Sequence, residues 1–92
     1  MATHAISEAM SHKAFHNFIQ QSLRRHHSGD WGDCGKEDMK INDESLKLGM
    51  RLLSVFNIPE ELKQLNHYGN EKIWIITEAD RSATTALYPS EY

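Results

Sequence analysis

The groups in this chain whose types and spacing suggest chemistry fall into four sets. Glu78 and Asp80 stand two residues apart with Arg81 beside them. On a strand that runs so far, both carboxylates point the same way, and two carboxyls in different surroundings can divide acid and base roles. The plainer reading is a solvated hairpin tip with an Asp turn cap and an Arg ion pair. His12 and His16 have the i, i+4 spacing of helical metal ligands, with His26, His27, Asp30 and Cys34 to complete a set. Against this, they lie beside the apolar stripe of their helix, and no Cys-x-x-Cys or His-Glu-x-x-His motif is present. Cys34 with a histidine would make a nucleophile pair, although a glycine-flanked loop cysteine is more often an incidental thiol. Lys13, Arg24, Arg25, Lys36 and Lys40 could form a basic edge, but Glu8, Asp30, Asp33, Glu37 and Asp38 interleave with them. That pattern is a mixed solvated surface. Trp31 and Trp74 could stack bases, yet buried anchors are the commoner fate of tryptophan in a small fold.

Composition narrows the classes. The chain has 92 residues, 39% hydrophobic and 25% charged, with a formal charge of −3. This is one small domain, residues 1–92, with enough apolar content for a core and too little positive charge for a DNA-coating protein. Its single cysteine allows no internal disulfide and fits a reducing cytoplasm. No apolar run is long enough to span a membrane, and Met1-Ala2-Thr3-His4 has neither the basic nor the apolar part of a signal peptide.

The elements that must position these groups are helices followed by strands. Thr3 caps a short helix over Ala5–Met10. From Lys13, Phe15, Ile19 and Leu23 recur at four-residue spacing on a helix ending near His26, whose last turn (Arg24, Arg25, His26, His27) complements the dipole. Gly29 stops it. Residues 28–35 are a loop, with Gly29, Gly32 and Gly35 forbidding a regular element. Trp31 within it should bury its ring and give its indole N–H to a carbonyl or carboxylate. Residues 36–49 form a second helical region, interrupted where Asn42 or Asp43 caps a fresh helix, with Met39, Leu46 and Met50 on one face and Gly49 closing it. Strands are expected at about 51–58, 72–79 and 83–88, with a helical turn after Pro59 and a turn at Tyr68-Gly69-Asn70. Ala79-Asp80-Arg81-Ser82 joins the last two strands as a hairpin connection.

The outcome is α+β: N-terminal helices, over about 3–49, packed on a three-stranded antiparallel meander. On the middle strand Trp74, Ile76 and Glu78 share one face, and Ile73, Ile75 and Thr77 the other. Both faces are apolar at their centres. The helices cover one, a second subunit is the simplest cover for the other, and the sheet edges are free to pair.

One set of motifs resembles a known family. His27-Ser28-Gly29-Asp30-Trp31-Gly32-Asp33, Glu37-Asp38, Asn42-Asp43, Arg51-Leu52-Leu53-Ser54, Ile73 to Ser82, Thr84-Thr85 and Pro89-Ser90-Glu91-Tyr92 are similar to small uncharacterised bacterial proteins carried on plasmids, phages and other mobile elements, integron gene cassettes included. The similarity covers about residues 26–56 and 72–92. Residues 59–70 depart from it as an insertion, and the N-terminal helix matches loosely. The resemblance implies a short mobile-element protein and no particular activity. Some relatives carry restriction–modification labels, which do not transfer, because no methyl-donor or nuclease motif is present here.

Taken together, the reading is a cytoplasmic binding or adaptor module acting through protein–protein contacts, as a homo-oligomer and without cofactor or metal. Its contact surface is expected at Asp30, Trp31 and Asp33 of the tryptophan loop and Glu78, Asp80 and Arg81 of the hairpin turn, a choice made because loops carry special-geometry polar residues outside the core pattern. Nucleic acid is not expected as a direct ligand. Two other classes stand beside it: a modulator of host defence or DNA metabolism, and a small enzyme using Glu78, Asp80 and Arg81 in a concave pocket.

Overall fold

A computed structural model describes residues 1–66 and 70–92. The turn expected at Tyr68-Gly69-Asn70 falls, except for Asn70, outside them. Helix α1 spans His4–Ala9, and the Thr3 hydroxyl accepts the Ile6 N–H as its cap. Helix α2 spans Lys13–His27 and α3 spans Lys36–Leu48, with Gly49 in the left-handed conformation (φ 70°) closing α3. Strands β1 (Leu52–Asn57), β2 (Lys72–Thr77) and β3 (Thr84–Leu87) form one antiparallel sheet in the order β1-β2-β3. Short 3₁₀ turns follow β1 at Glu60–Leu65 and β3 at Pro89–Glu91. The architecture is α+β, with the helices preceding the sheet. No helix among the described residues is long and apolar enough to cross a membrane.

Registers set the two faces. Ser54 pairs with Ile75, Phe56 with Ile73, Ile75 with Ala86 and Thr77 with Thr84, so these residues share the helix-covered face. Against them pack Ile6, Phe15 and Ile19, and the resulting cluster includes Tyr88. Each fully buried Ile or Phe contributes about 1.5–3 kcal/mol of transfer free energy.

Several expectations need correction. The inward line of α2 is Phe15, Ile19, Ser22 and His26, all buried, whereas Leu23 is half-buried. The apolar stripe therefore continues as polar groups where the helix crosses the middle of the sheet. Helix α3 is continuous, not interrupted. It buries Asn42 and Ser45 and leaves Ile41, Leu46 and Leu48 exposed, as is Met50 just beyond its cap, so Leu46 and Met50 are not core residues. The reason is that Asn42 clamps the edge of β1: its side-chain amide donates to the Leu53 carbonyl (2.6 Å) and its side-chain carbonyl accepts the Leu53 N–H (3.0 Å). Two backbone groups that would otherwise lack partners in the sheet are thereby satisfied, and this orients α3 by hydrogen bonding rather than apolar burial.

The sheet edges are not free. The Trp31 loop runs beside β1, with Val55 N–H donating to the Trp31 carbonyl and Asp33 N–H to the Val55 carbonyl. The approach is so close that a Cβ on Gly32 would stand 2.1 Å from the Val55 carbonyl oxygen, and Gly32 has φ +75°, so only glycine fits. At the other edge, Ala86 N–H donates to the Met1 carbonyl and Thr3 N–H to the Ala86 carbonyl, a short parallel pairing. Both edges are thus covered by extended segments, which blunts edge-to-edge association.

The second sheet face is also partly covered by the chain itself. Tyr92 packs edge-on against Trp74 (centroids 5.5 Å apart), the Arg51 guanidinium lies over the Tyr92 ring, and Ile76 and Leu87 are buried. Leu53, Val55 and Trp74 stay half-buried.

Candidate cleft between the tryptophan loop and the hairpin turn

The C-terminal end of α2, the tryptophan loop, the end of α3 and the β2–β3 turn surround a cleft of about 350 Å³. Trp31, Leu46 and Leu52 form apolar walls. His27 and Arg81 stand at its rim, and His26, Thr77 and Thr84 bring polar groups to it. The volume lies within the usual range for ligand sites, as does the combination of apolar walls with a few convergent polar groups.

Its innermost part is a chain of hydrogen bonds. His26, 3% exposed, places Nδ1 2.5 Å from the Ser54 hydroxyl and Nε2 2.7 Å from the Thr77 hydroxyl, which lies 2.8 Å from the Thr84 hydroxyl. Every polar atom of the imidazole is therefore engaged. Burial, helped by the neighbouring His27, pushes the His26 pKa down to about 4, so the ring is neutral at pH 7. It cannot complement the α2 dipole as a cation. An imidazole so weakly basic is also a poor general base at neutral pH. The chain Ser54–His26–Thr77–Thr84 fixes the position of the cleft floor.

Trp31 is held from two sides. Its indole N–H donates to Asp43 Oδ1 (2.9 Å), the carboxylate partner expected of a loop anchor, and its ring meets His26 edge-on at 5.8 Å. Asp43 thus links α3 to the loop instead of capping a new helix.

Arg81 is the hairpin residue that belongs to the cleft. Its φ is +63°, an unusual conformation for a residue with a side chain. Nη1 donates to the carbonyls of Met50 (2.6 Å) and Glu78 (3.2 Å), and Nη2 to the Ser45 carbonyl (3.4 Å). A cation is thereby set on carbonyls at the C-terminal end of α3, where the dipole favours positive charge.

The remaining expected site residues do not converge on the cleft. Asp30 accepts from Arg25 Nε (2.7 Å) and from Gly32 N–H (3.0 Å), and these bonds hold its carboxyl below the usual range. Asp33 accepts the Asn57 N–H (2.9 Å). Both acids fasten the loop to its surroundings. Strand β2 ends at Thr77, so the alternation that would have aligned Glu78 with Asp80 stops before it reaches them. Glu78 instead pairs with Arg51 (3.3 Å), lining a shallow depression beside Tyr92. Asp80 accepts the Ser82 N–H (3.0 Å) as a turn cap, and the Ser82 side chain, with that N–H, holds its carboxyl below the usual range. Among the described residues Arg81 lines the cleft, Glu78 lines the depression beside Tyr92, and Asp80 lines neither.

Among the described residues the other nucleophile and metal sets do not assemble. His12 and His16 are exposed, His26 is turned inward, and among the described residues no three His, Cys, Asp or Glu side chains gather as metal ligands. The Cys34 thiol is half-buried, and burial together with Asp38 raises its pKa, which is the opposite of activation.

Sequence reasoning missed Ser54 and Thr77 as partners of His26, and Thr84 as the partner of Thr77. The signal was present in part: His26 follows Phe15, Ile19 and Ser22 at helical spacing, and Thr77 alternates with Ile73 and Ile75. No protein-family model, curated protein or solved structure matches the chain.

Proposed function

We propose that this protein is a binding module that captures its partner at the cleft between the tryptophan loop and the hairpin turn. The observation that carries the reading is that Trp31 and Arg81, from the two loops singled out by their composition, line one apolar-walled cleft whose floor is fixed by a fully engaged hydrogen-bond chain. A rigid floor under a partly open apolar wall lowers the ordering cost of binding. The partner is a host-cell protein, and the chain acts as an adaptor of a mobile element in the cytoplasm. Its own second copy covers Ile41, Leu48 and Met50, the apolar side chains left outside on α3 and its cap.

Leu46 is 53% exposed at the cleft wall, so Leu46→Asp should leave the fold intact while placing a charge in the site. Affinity capture from bacterial lysate should recover a partner with the native chain and lose it with Leu46→Asp. Asp80→Asn, away from the cleft, should retain it. Equal capture by Leu46→Asp would place the contact elsewhere. Light scattering tests the second copy, which Leu48→Lys should dissociate. Genes flanking this one test the mobile-element origin.

A further inference from the structure

We infer that the group taken into this cleft is an apolar body bearing a carboxylate, with Arg81 as the residue that recognises the charge. The inference rests on the cleft being the binding site proposed above and adds the chemistry of its occupant. Two independent observations carry it. First, the lining is selectively free of acid. The chain holds 13 Asp and Glu against 10 Lys and Arg, yet among the described residues the cleft is lined by no carboxylate, while Arg81 and His27 stand at its rim. Nearby acids are diverted: Asp30 to Arg25, Asp43 to the Trp31 indole, Glu78 to Arg51. Among the described residues Arg81 is thus the one Lys, Arg, Asp or Glu side chain lining the cleft of a net negative molecule, and its charge favours an anion there.

Second, the Arg81 guanidinium is fixed but not exhausted. Nη1 donates to the carbonyls of Met50 and Glu78 and Nη2 to that of Ser45, three contacts for a group with five N–H donors. Among the described residues Nε–H donates to no protein group, and Arg81 is exposed. Nε–H together with the outer Nη2 N–H forms the side-on fork that matches the two oxygens of a carboxylate. Because the other half of the group is anchored on the end of α3, the fork is held in place before any ligand arrives. Trp31, Leu46 and Leu52 then accept the apolar body. A volume of about 350 Å³ suits a group the size of an aromatic or short aliphatic acid, whether a free molecule or the end of a partner peptide.

The test uses 3-phenylpropanoate and its uncharged amide as probes on the full chain, followed through the NMR signals of the Trp31 indole N–H and Arg81 Nε–H. The carboxylate should shift both signals and bind at least tenfold more tightly than the amide, with a preference that weakens as salt is raised. Arg81→Lys keeps the charge but loses the fork and should abolish most of that preference. Leu46→Glu, at an exposed position, should weaken the carboxylate at least tenfold and the amide much less. Arg51→Lys, on the opposite sheet face, should change neither. Equal affinity for acid and amide, or shifts confined to Tyr92 and Arg51, would overturn the inference. Partner capture that depends on Leu46 but not on Arg81, together with amide binding as tight as acid binding, would remove the carboxylate while leaving the binding role. Loss of all probe binding and of partner capture would remove both. Partner capture repeated with each probe separates the two sources: capture blocked by 3-phenylpropanoate and not by its amide points to a peptide end, and capture unchanged by either points to a free acid.

Discussion

Replacing His26 with Gln should flatten the dependence of stability on pH between about 4 and 6.5. The native ring is buried, and burial is the main reason its pKa falls from 6.5 to about 4, with His27 adding to it. In the unfolded chain the ring recovers an ordinary pKa near 6.5. Between these values the unfolded state binds more protons than the folded one, so folding stability must fall as pH falls. Above 6.5 both states hold the ring neutral and the contribution is complete. Below about 4 both states are protonated and the loss stops growing. The difference amounts to about 3 kcal/mol across the window, with a slope approaching ~1.4 kcal/mol per pH unit. A domain of this length has about 5–14 kcal/mol of stability in all, so the effect is a large share of it. Urea denaturation at pH 7.5, 6.0, 5.0 and 4.5 measures it directly. The native chain should lose stability steadily over that series, and His26→Gln, though less stable at pH 7.5, should lose much less. Asp30 and Asp80 titrate at lower pH and are common to both proteins, so they cancel in the comparison. Parallel pH profiles for the two proteins, or a native chain more stable at pH 5 than at pH 7.5, would refute the account of His26 as a buried neutral ring.

Other substitutions test the packing around the cleft. Gly32→Ala forces a Cβ into the Val55 carbonyl at a positive φ and should cost about 1–3 kcal/mol by chemical denaturation, with the amide signals of Asp33 and Val55 most disturbed. Asn42→Leu removes both bonds to the Leu53 backbone and leaves two part-buried polar groups without their partners, so a loss of about 1–3 kcal/mol is expected, with α3 amides exchanging faster in hydrogen–deuterium measurements. Arg25→Gln breaks an ion pair whose side chains are both nearly half exposed, and its cost should stay below about 1 kcal/mol and shrink with added salt. Trp31→Phe keeps an aromatic ring but loses the bond to the exposed Asp43 carboxylate, and about 1–2 kcal/mol should be lost by chemical denaturation.

By itself the sequence determined the succession of elements and their class. The four-residue spacing of Phe15 and Ile19, the β-branched run from Ile73 to Thr77 and the left-handed glycine at position 49 are local signals, and each produced the element it announced. Trp31 was legible as a loop anchor because its size leaves a small fold little choice but to bury it. Tertiary structure alone decided the rest. Periodicity finds a buried face only when that face is apolar, and here α3 turns Asn42 and Ser45 inward while Ile41, Leu46 and Leu48 stay outside. The benefit of that arrangement lies in hydrogen bonds to a strand 11 residues away. His26 has no local cue to its neutrality, because the partners that engage it, Ser54 and Thr77, stand 28 and 51 residues further on. Arg81 carried no sign that its guanidinium would settle on the end of α3, 31 to 36 residues back, and so face the tryptophan loop across a cleft. Polar groups acquire their roles from the partners that desolvation obliges them to find, and those partners are fixed by the packing of the whole chain.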